Sequence, residues 1–137
     1  MLWSEAVGLA SPVPALYDGA HGVSIAEIAA NLRRRQEQRR TRARQRAARF
    51  RASLPAAREL LCARLGAGQV WVFGSLARGD ARETSDVDLA VEGLAPERYF
   101  SALADLMALF GGPVDLVRIE EASPSLTQRI RDEGQAL

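Results

Sequence analysis

Three short apolar runs, Gln69-Val70-Trp71-Val72-Phe73, Asp86-Val87-Asp88-Leu89-Ala90-Val91 and Val114-Asp115-Leu116-Val117, constrain the fold most tightly. Each is too short for a buried helix and rich in β-branched or aromatic residues, so each reads as a strand. Between the second and third, Pro96 to Phe110 has the spacing of an amphipathic helix and is closed by Gly111-Gly112. Ser123-Pro124 opens a last helix ending near Gly134, with proline just inside it. Strands alternating with helices predict an α/β domain, with a small mixed sheet of three or four strands and helices on one side.

Upstream, Ser24 and Glu27 form a capping-box pattern that predicts a long helix beginning after Ser24. Ile25, Ile28, Ala29 and Leu32 lie on one face of it, and Ala43, Ala47, Phe50 and Leu54 continue an apolar stripe. Ser53 and Pro55 predict a stop and restart, with a second helix running to about Leu65 and ending at Gly66. Residues 1–23, punctuated by Pro12, Pro14, Gly19 and Gly22, read as loops or short helical pieces, with Trp3, Leu16 and Tyr17 as docking residues. The expected organisation is a segment 1–23, an arginine-rich helical extension 24–54 and a compact domain 55–137.

The 137 residues suit one domain, and 47% are apolar, enough for a modest core. No run approaches the roughly 18 apolar residues of a membrane-spanning helix, and no secretory leader is visible. The single cysteine, Cys62, cannot form an internal disulfide and reads as helix packing. Cytoplasm is the expected compartment. His21 stands in a glycine-flanked loop and reads as surface, and no cysteine or histidine grouping suggests zinc.

The net charge of +1 conceals an asymmetry. From Arg33 to Arg51 there are ten arginines and one acid, Glu37, whereas the rest holds eight arginines and sixteen acids. This stretch reads as a solvated helix face or as a docking surface for an acidic partner or a second copy of the chain. Nucleic-acid binding ranks last, because only Phe50 interleaves the arginines for stacking. Ser24-Ile25-Ala26-Glu27-Ile28-Ala29 faintly echoes a helix-turn-helix opening, but no recognition helix follows.

The chemistry concentrates after the first strand. Strand alternation puts Asp86 and Asp88 on one face and Val87, Leu89 and Val91 on the other. Two neighbouring carboxylates repel unless a cation lies between them, and such oxygen donors suit a hard ion such as Mg²⁺. If the strand of Asp115 lies beside that of Asp88, Asp115 joins the cluster. Gly74 lets backbone N–H groups approach a phosphate, the Ser75 hydroxyl can donate to it, and Arg78 can neutralise it. Arg78 can equally pair with Asp80 or Glu83. A phosphate cradle ten residues before a carboxylate pair meets the needs of reaction at a nucleotide phosphate. Taken alone, an aspartate pair can be a solvated sheet edge and a Gly-Ser pair a simple turn; their spacing gives them value.

Val72-Phe73-Gly74-Ser75-Leu76-Ala77-Arg78-Gly79, followed by Ser85-Asp86-Val87-Asp88-Leu89, resembles the signature of minimal nucleotidyltransferases of the DNA polymerase β-like superfamily. The likeness continues through Asp115, where the family carries its third carboxylate, and to Ile130, Glu133 and Gly134 in the last helix. It covers about residues 55–137. The resemblance implies a polymerase β-like fold, catalytic and metal-binding roles for Asp86, Asp88 and Asp115, and two Mg²⁺ ions. It also implies ATP as substrate, held at Gly74, Ser75 and Arg78. Small members of this family act as antitoxins of HEPN-type toxins, transferring AMP from ATP to a toxin tyrosine, and that role is the expectation here. Non-catalytic binding of a toxin and nucleotide transfer to a small molecule are the alternatives. The chain has no lysine, so a lysine general acid is excluded.

Overall fold

The computed structural model describes residues 22–137. Trp3, Leu16, Tyr17 and His21 lie outside the described residues. The chain divides into two units at the Arg39/Arg40 boundary.

In the first unit, helix α1 (Ile25–Arg58) begins at the capping box read from sequence. The Glu27 amide donates to Ser24 Oγ at 3.0 Å and the Ser24 amide to Glu27 Oε1 at 2.9 Å. These reciprocal bonds satisfy two of the orphan donors of the helix start. They also hold the Glu27 carboxyl below its usual pKa, the backbone bond from Ser24 being the main cause. Ile25, Ile28 and Leu32 share the expected apolar face, and all three are exposed.

The second unit contains the remainder of α1, a π-helical turn (Glu59–Arg64) and a four-stranded sheet. Its strands are β1 (Gln69–Phe73), β2 (Val87–Glu92), β3 (Val114–Arg118) and β4 (Gln135–Ala136), in the order β3-β2-β1-β4. β1 is antiparallel to β2 and β4, and β2 is parallel to β3. The parallel pair needs a crossover, which helix α3 (Tyr99–Phe110) supplies. A short helix α2 (Gly74–Arg78) follows β1 directly, and α4 (Pro124–Glu133) leads into β4. Ser123 caps α4 by accepting from the Leu126 amide, with Pro124 at its first position.

The expected break at Ser53–Pro55 does not occur: α1 runs through Pro55. Phe50, Leu54, Ala57 and Leu61 form one buried stripe across the proline. Burying that stripe offsets the hydrogen bond Pro55 cannot make. The π-helical turn follows directly, and Gly66 ends the segment.

The sheet's two faces differ. Val70, Val72, Val87, Leu89, Val91 and Leu116 pack against α1 and α3 in the main core. The opposite face carries a smaller cluster of Phe73, Ala90 and Ile130, flanked by Trp71, Val117 and Leu126. Helix packing is thus mainly on one side, as expected, and α4 lies over part of the other. Cys62 is partly buried against the main core.

Gly134 makes the turn from α4 to β4. A Cβ there would lie 2.3 Å from the Ile130 carbonyl oxygen and 3.3 Å from that of Val72. Gly134→Ala is expected to lower stability by about 1–3 kcal/mol, as overpacking does. Urea unfolding followed by circular dichroism would check this; an unchanged midpoint would refute it.

Candidate active site

The second sheet face carries the polar row. The β1–β2 register sets Phe73 opposite Asp88, and the β2–β3 register sets Asp88 opposite Asp115. β3 is therefore the immediate neighbour of β2, the condition for Asp115 to join the pair. Asp86 stands one residue before β2 and is exposed, as is Asp115, whereas Asp88 is half-buried.

Gly74 sets the depth of the site. It is buried, its φ is +71°, and a Cβ on it would come within 2.1 Å of Asp88 Oδ2. Only glycine combines that backbone conformation with that approach. The turn thus runs directly against the Asp88 carboxylate, joining the two halves of the motif.

Burial pushes the Asp88 carboxyl above the usual aspartate range, and the charges of Asp115 and then Asp86 push it further. Arg78 and Arg129 act in the opposite direction. A partly desolvated carboxylate with two like charges beside it is a site whose ionised form a cation would stabilise. The donors are all carboxylate oxygens, which fits Mg²⁺. Among the described residues, no three His, Cys, Asp or Glu side chains already close into a metal-binding group. The three aspartates stand as an open row across the end of β2 and β3.

Ser75 is partly exposed, and its hydroxyl makes no hydrogen bond among the described residues, while its carbonyl accepts from the Gly79 and Asp80 amides. α2 is only five residues long, so phosphate binding here would draw on individual N–H groups more than on a helix dipole. Arg78 is already engaged: its Nε donates to Asp80 Oδ2 at 3.3 Å and a terminal nitrogen to Glu133 Oε1 at 3.2 Å. Asp80 is thus one partner, as the sequence allowed, whereas Glu83 pairs with Arg42. Arg78 ties α2 to α4 while its charge reaches Asp88.

Arg129 was not anticipated. It lies on α4 next to Ile130, whose packing against Phe73 and Ala90 places that helix on the carboxylate face. The signal available in sequence was Ile130 as the buried position of an amphipathic helix. A cleft of about 540 Å³ lies elsewhere, along β3, lined by Tyr99, Phe100, Leu116 and Leu126 among others. It is mainly apolar, with Arg118, Glu121 and Ser123 also in its wall, and does not contain the three aspartates.

The family model for polymerase beta nucleotidyltransferases matches residues 63–137, more than half the chain. The chain belongs to this family. The nucleotidyltransferase is also similar to a solved structure assigned to the minimal nucleotidyltransferases. The two are 38% identical over 66% of this chain and 95% of that one, with a TM-score of 0.59. A toxin–antitoxin complex, MntA–HpeT with a tyrosine substitution, is 28% identical over 58% of this chain and 66% of that one, TM-score 0.51. A toxin–antitoxin structure with AMP-PNP shares the fold at 24% identity, over 59% and 69% of the two chains, TM-score 0.53. No curated protein shows significant similarity.

Three outcomes are expected at this nucleotidyltransferase site. Because the folded-state pKa of Asp88 is raised, its ionised form destabilises the fold above that pKa, and the cost fades as pH falls toward the ordinary value of about 4. Asp88→Asn should therefore raise the thermal midpoint of the metal-free protein at pH 7, with the gap narrowing at lower pH. Adding Mg²⁺ should stabilise the unaltered chain more than the variant. Calorimetry showing Asp88→Asn less stable without metal would contradict this. Gly74→Ala should displace the Asp88 carboxylate and cut nucleotidyl transfer by at least about 100-fold, read in the transfer assay below.

Proposed function

We propose that this nucleotidyltransferase is an antitoxin that transfers AMP from ATP, with Mg²⁺, to a tyrosine of a HEPN-type toxin. The observation carrying the reading is the packing of the Gly74-Ser75 turn against Asp88, with Asp115 in register on the next strand. It is supported by the likeness to the MntA–HpeT toxin–antitoxin complex and by the AMP-PNP in a neighbour of the same fold. Residues 24–54 would be an extension to a catalytic domain of 55–137. The cytoplasm supplies ATP and keeps a lone thiol such as Cys62 reduced.

Asp86, Asp88 and Asp115 would hold Mg²⁺, which when bound neutralises charge developing at the α-phosphate and favours the ionised acceptor. The Gly74-Ser75 turn would bind the β- and γ-phosphates through its N–H groups and the Ser75 hydroxyl, leaving the α-phosphate over the carboxylate row. Arg78 would contribute positive charge near the phosphates, where Asp80 and Glu133 hold it in place. Asp115, on the sheet-edge strand β3, would orient the tyrosine hydroxyl and take its proton. The oxygen then attacks the α-phosphorus, its bond to the bridging oxygen breaks, and pyrophosphate leaves. With no lysine in the chain, the leaving group is balanced by arginine and water.

The test is label transfer from α-phosphate-labelled ATP with Mg²⁺ to a cognate HEPN-type protein. Label on a partner tyrosine is expected, reduced at least about 100-fold in Asp86→Asn and in Asp115→Asn. Full transfer in either variant would overturn the site. No label, with a complex that still silences the toxin, would establish neutralisation by binding alone.

A further inference from the structure

Several arginines of α1 bond to the segments that carry the catalytic residues. Arg46 Nε donates to the carbonyl oxygen of Ser85 at 3.2 Å, and Ser85 immediately precedes Asp86. The same guanidinium lies 4.7 Å from the centre of the Phe50 ring. Phe50 is 7% exposed and packs edge-on against Phe110. The Arg46 guanidinium is therefore held by two contacts, a core aromatic and a backbone acceptor. One turn earlier, Arg42 Nε pairs with Glu83 Oε2 at 2.8 Å. The segment they hold is itself closed: the Arg82 amide donates to Ser85 Oγ at 2.8 Å, and the Ser85 amide to the Arg82 carbonyl at 3.1 Å. Five residues beyond Arg46, Arg51 donates to the Leu76 carbonyl in α2. The helix thus touches both segments that bring chemistry to the sheet, the turn after β1 and the approach to β2.

From this we infer that Arg46, assisted by Arg42, is a positioning residue for catalysis: it clamps the 82–85 turn and thereby fixes Asp86 in the carboxylate row. Asp86 needs such a clamp because it stands outside β2, without the strand pairing that places Asp88 and Asp115. The inference rests on the reading of Asp86 as a metal ligand. Electrostatics alone predicts the opposite effect of removing Arg46, since losing a cation near three carboxylates would strengthen divalent-cation binding. A weakened affinity would therefore report lost positioning.

The test uses the full chain with Mn²⁺ as probe, its affinity read by electron paramagnetic resonance, together with the NMR order parameter of the Asp86 amide. Arg46→Ala is expected to weaken Mn²⁺ binding about tenfold, the low end for a residue that orients a metal ligand. The Asp86 order parameter should fall from the rigid range to below about 0.6. Arg46→Lys, which keeps a donor and a cation, should recover part of both. Arg49→Ala removes the same charge from the same helix, at a side chain with no hydrogen bond to the turn among the described residues, and should change neither. Arg42→Gln breaks an exposed pair and should loosen the turn in the same direction, which covers the case of Arg46→Ala failing to fold. Unchanged affinity and order in Arg46→Ala, or in Arg42→Gln if the former does not fold, would overturn the clamp. Mn²⁺ binding undiminished in Asp86→Asn would instead count against the metal reading, and the order parameter alone would then uphold or overturn the clamp.

Discussion

The half-buried carboxylate of Asp88, enclosed by a glycine turn on one side and flanked by Asp115 on the other, is the constraint around which the second unit is arranged. An acid placed there is held against its own preference, since burial and two like charges all favour the neutral form. The fold tolerates this because the other sheet face buries aliphatic side chains against α1 and α3. The hydrophobic face supplies stability and the polar face spends some of it, as functional sites commonly do.

Much of this was legible in the residues. Strands β1, β2 and β3 were visible as short apolar runs, although β2 begins at Val87 and leaves Asp86, read as its first residue, just outside it. The capping box at Ser24 and Glu27 and the proline start of α4 were local patterns, and local patterns survive folding. β4 was invisible because Gln135 and Ala136 form no apolar run, and their pairing with β1 is a backbone event. The break expected at Pro55 failed for a related reason: a proline's local cost was outweighed by a buried stripe whose partners lie far along the chain.

The site was legible as a set of residue types more than as a network. Gly74, Asp88 and Asp115 could be placed from strand order once β2 and β3 were paired. The partners of Arg78 could be narrowed to nearby acids, yet one of them, Glu133, is 55 residues away on α4. The arginines of α1 posed the same difficulty in stronger form. Ten guanidinium groups in one helical stretch look alike in sequence. The fold tells them apart: Arg46, set over the Phe50 ring that packs on Phe110, bonds to Ser85, and Arg49 has no such bond among the described residues.

The exclusive use of arginine in this chain has a further consequence. A guanidinium stays protonated at any pH where a protein remains folded, whereas a lysine ammonium can release its proton where it is buried. The bonds from Arg46 and Arg51 to the carbonyl oxygens of Ser85 and Leu76, in which neither partner titrates, therefore keep a fixed charge state. The chain's one histidine, His21, lies outside the described residues. Those two contacts are in this sense silent to acid and base, so a bend in the protein's rate with pH would report carboxylates, either the aspartate row or the partners of Arg42 and Arg78, rather than the backbone contacts of α1.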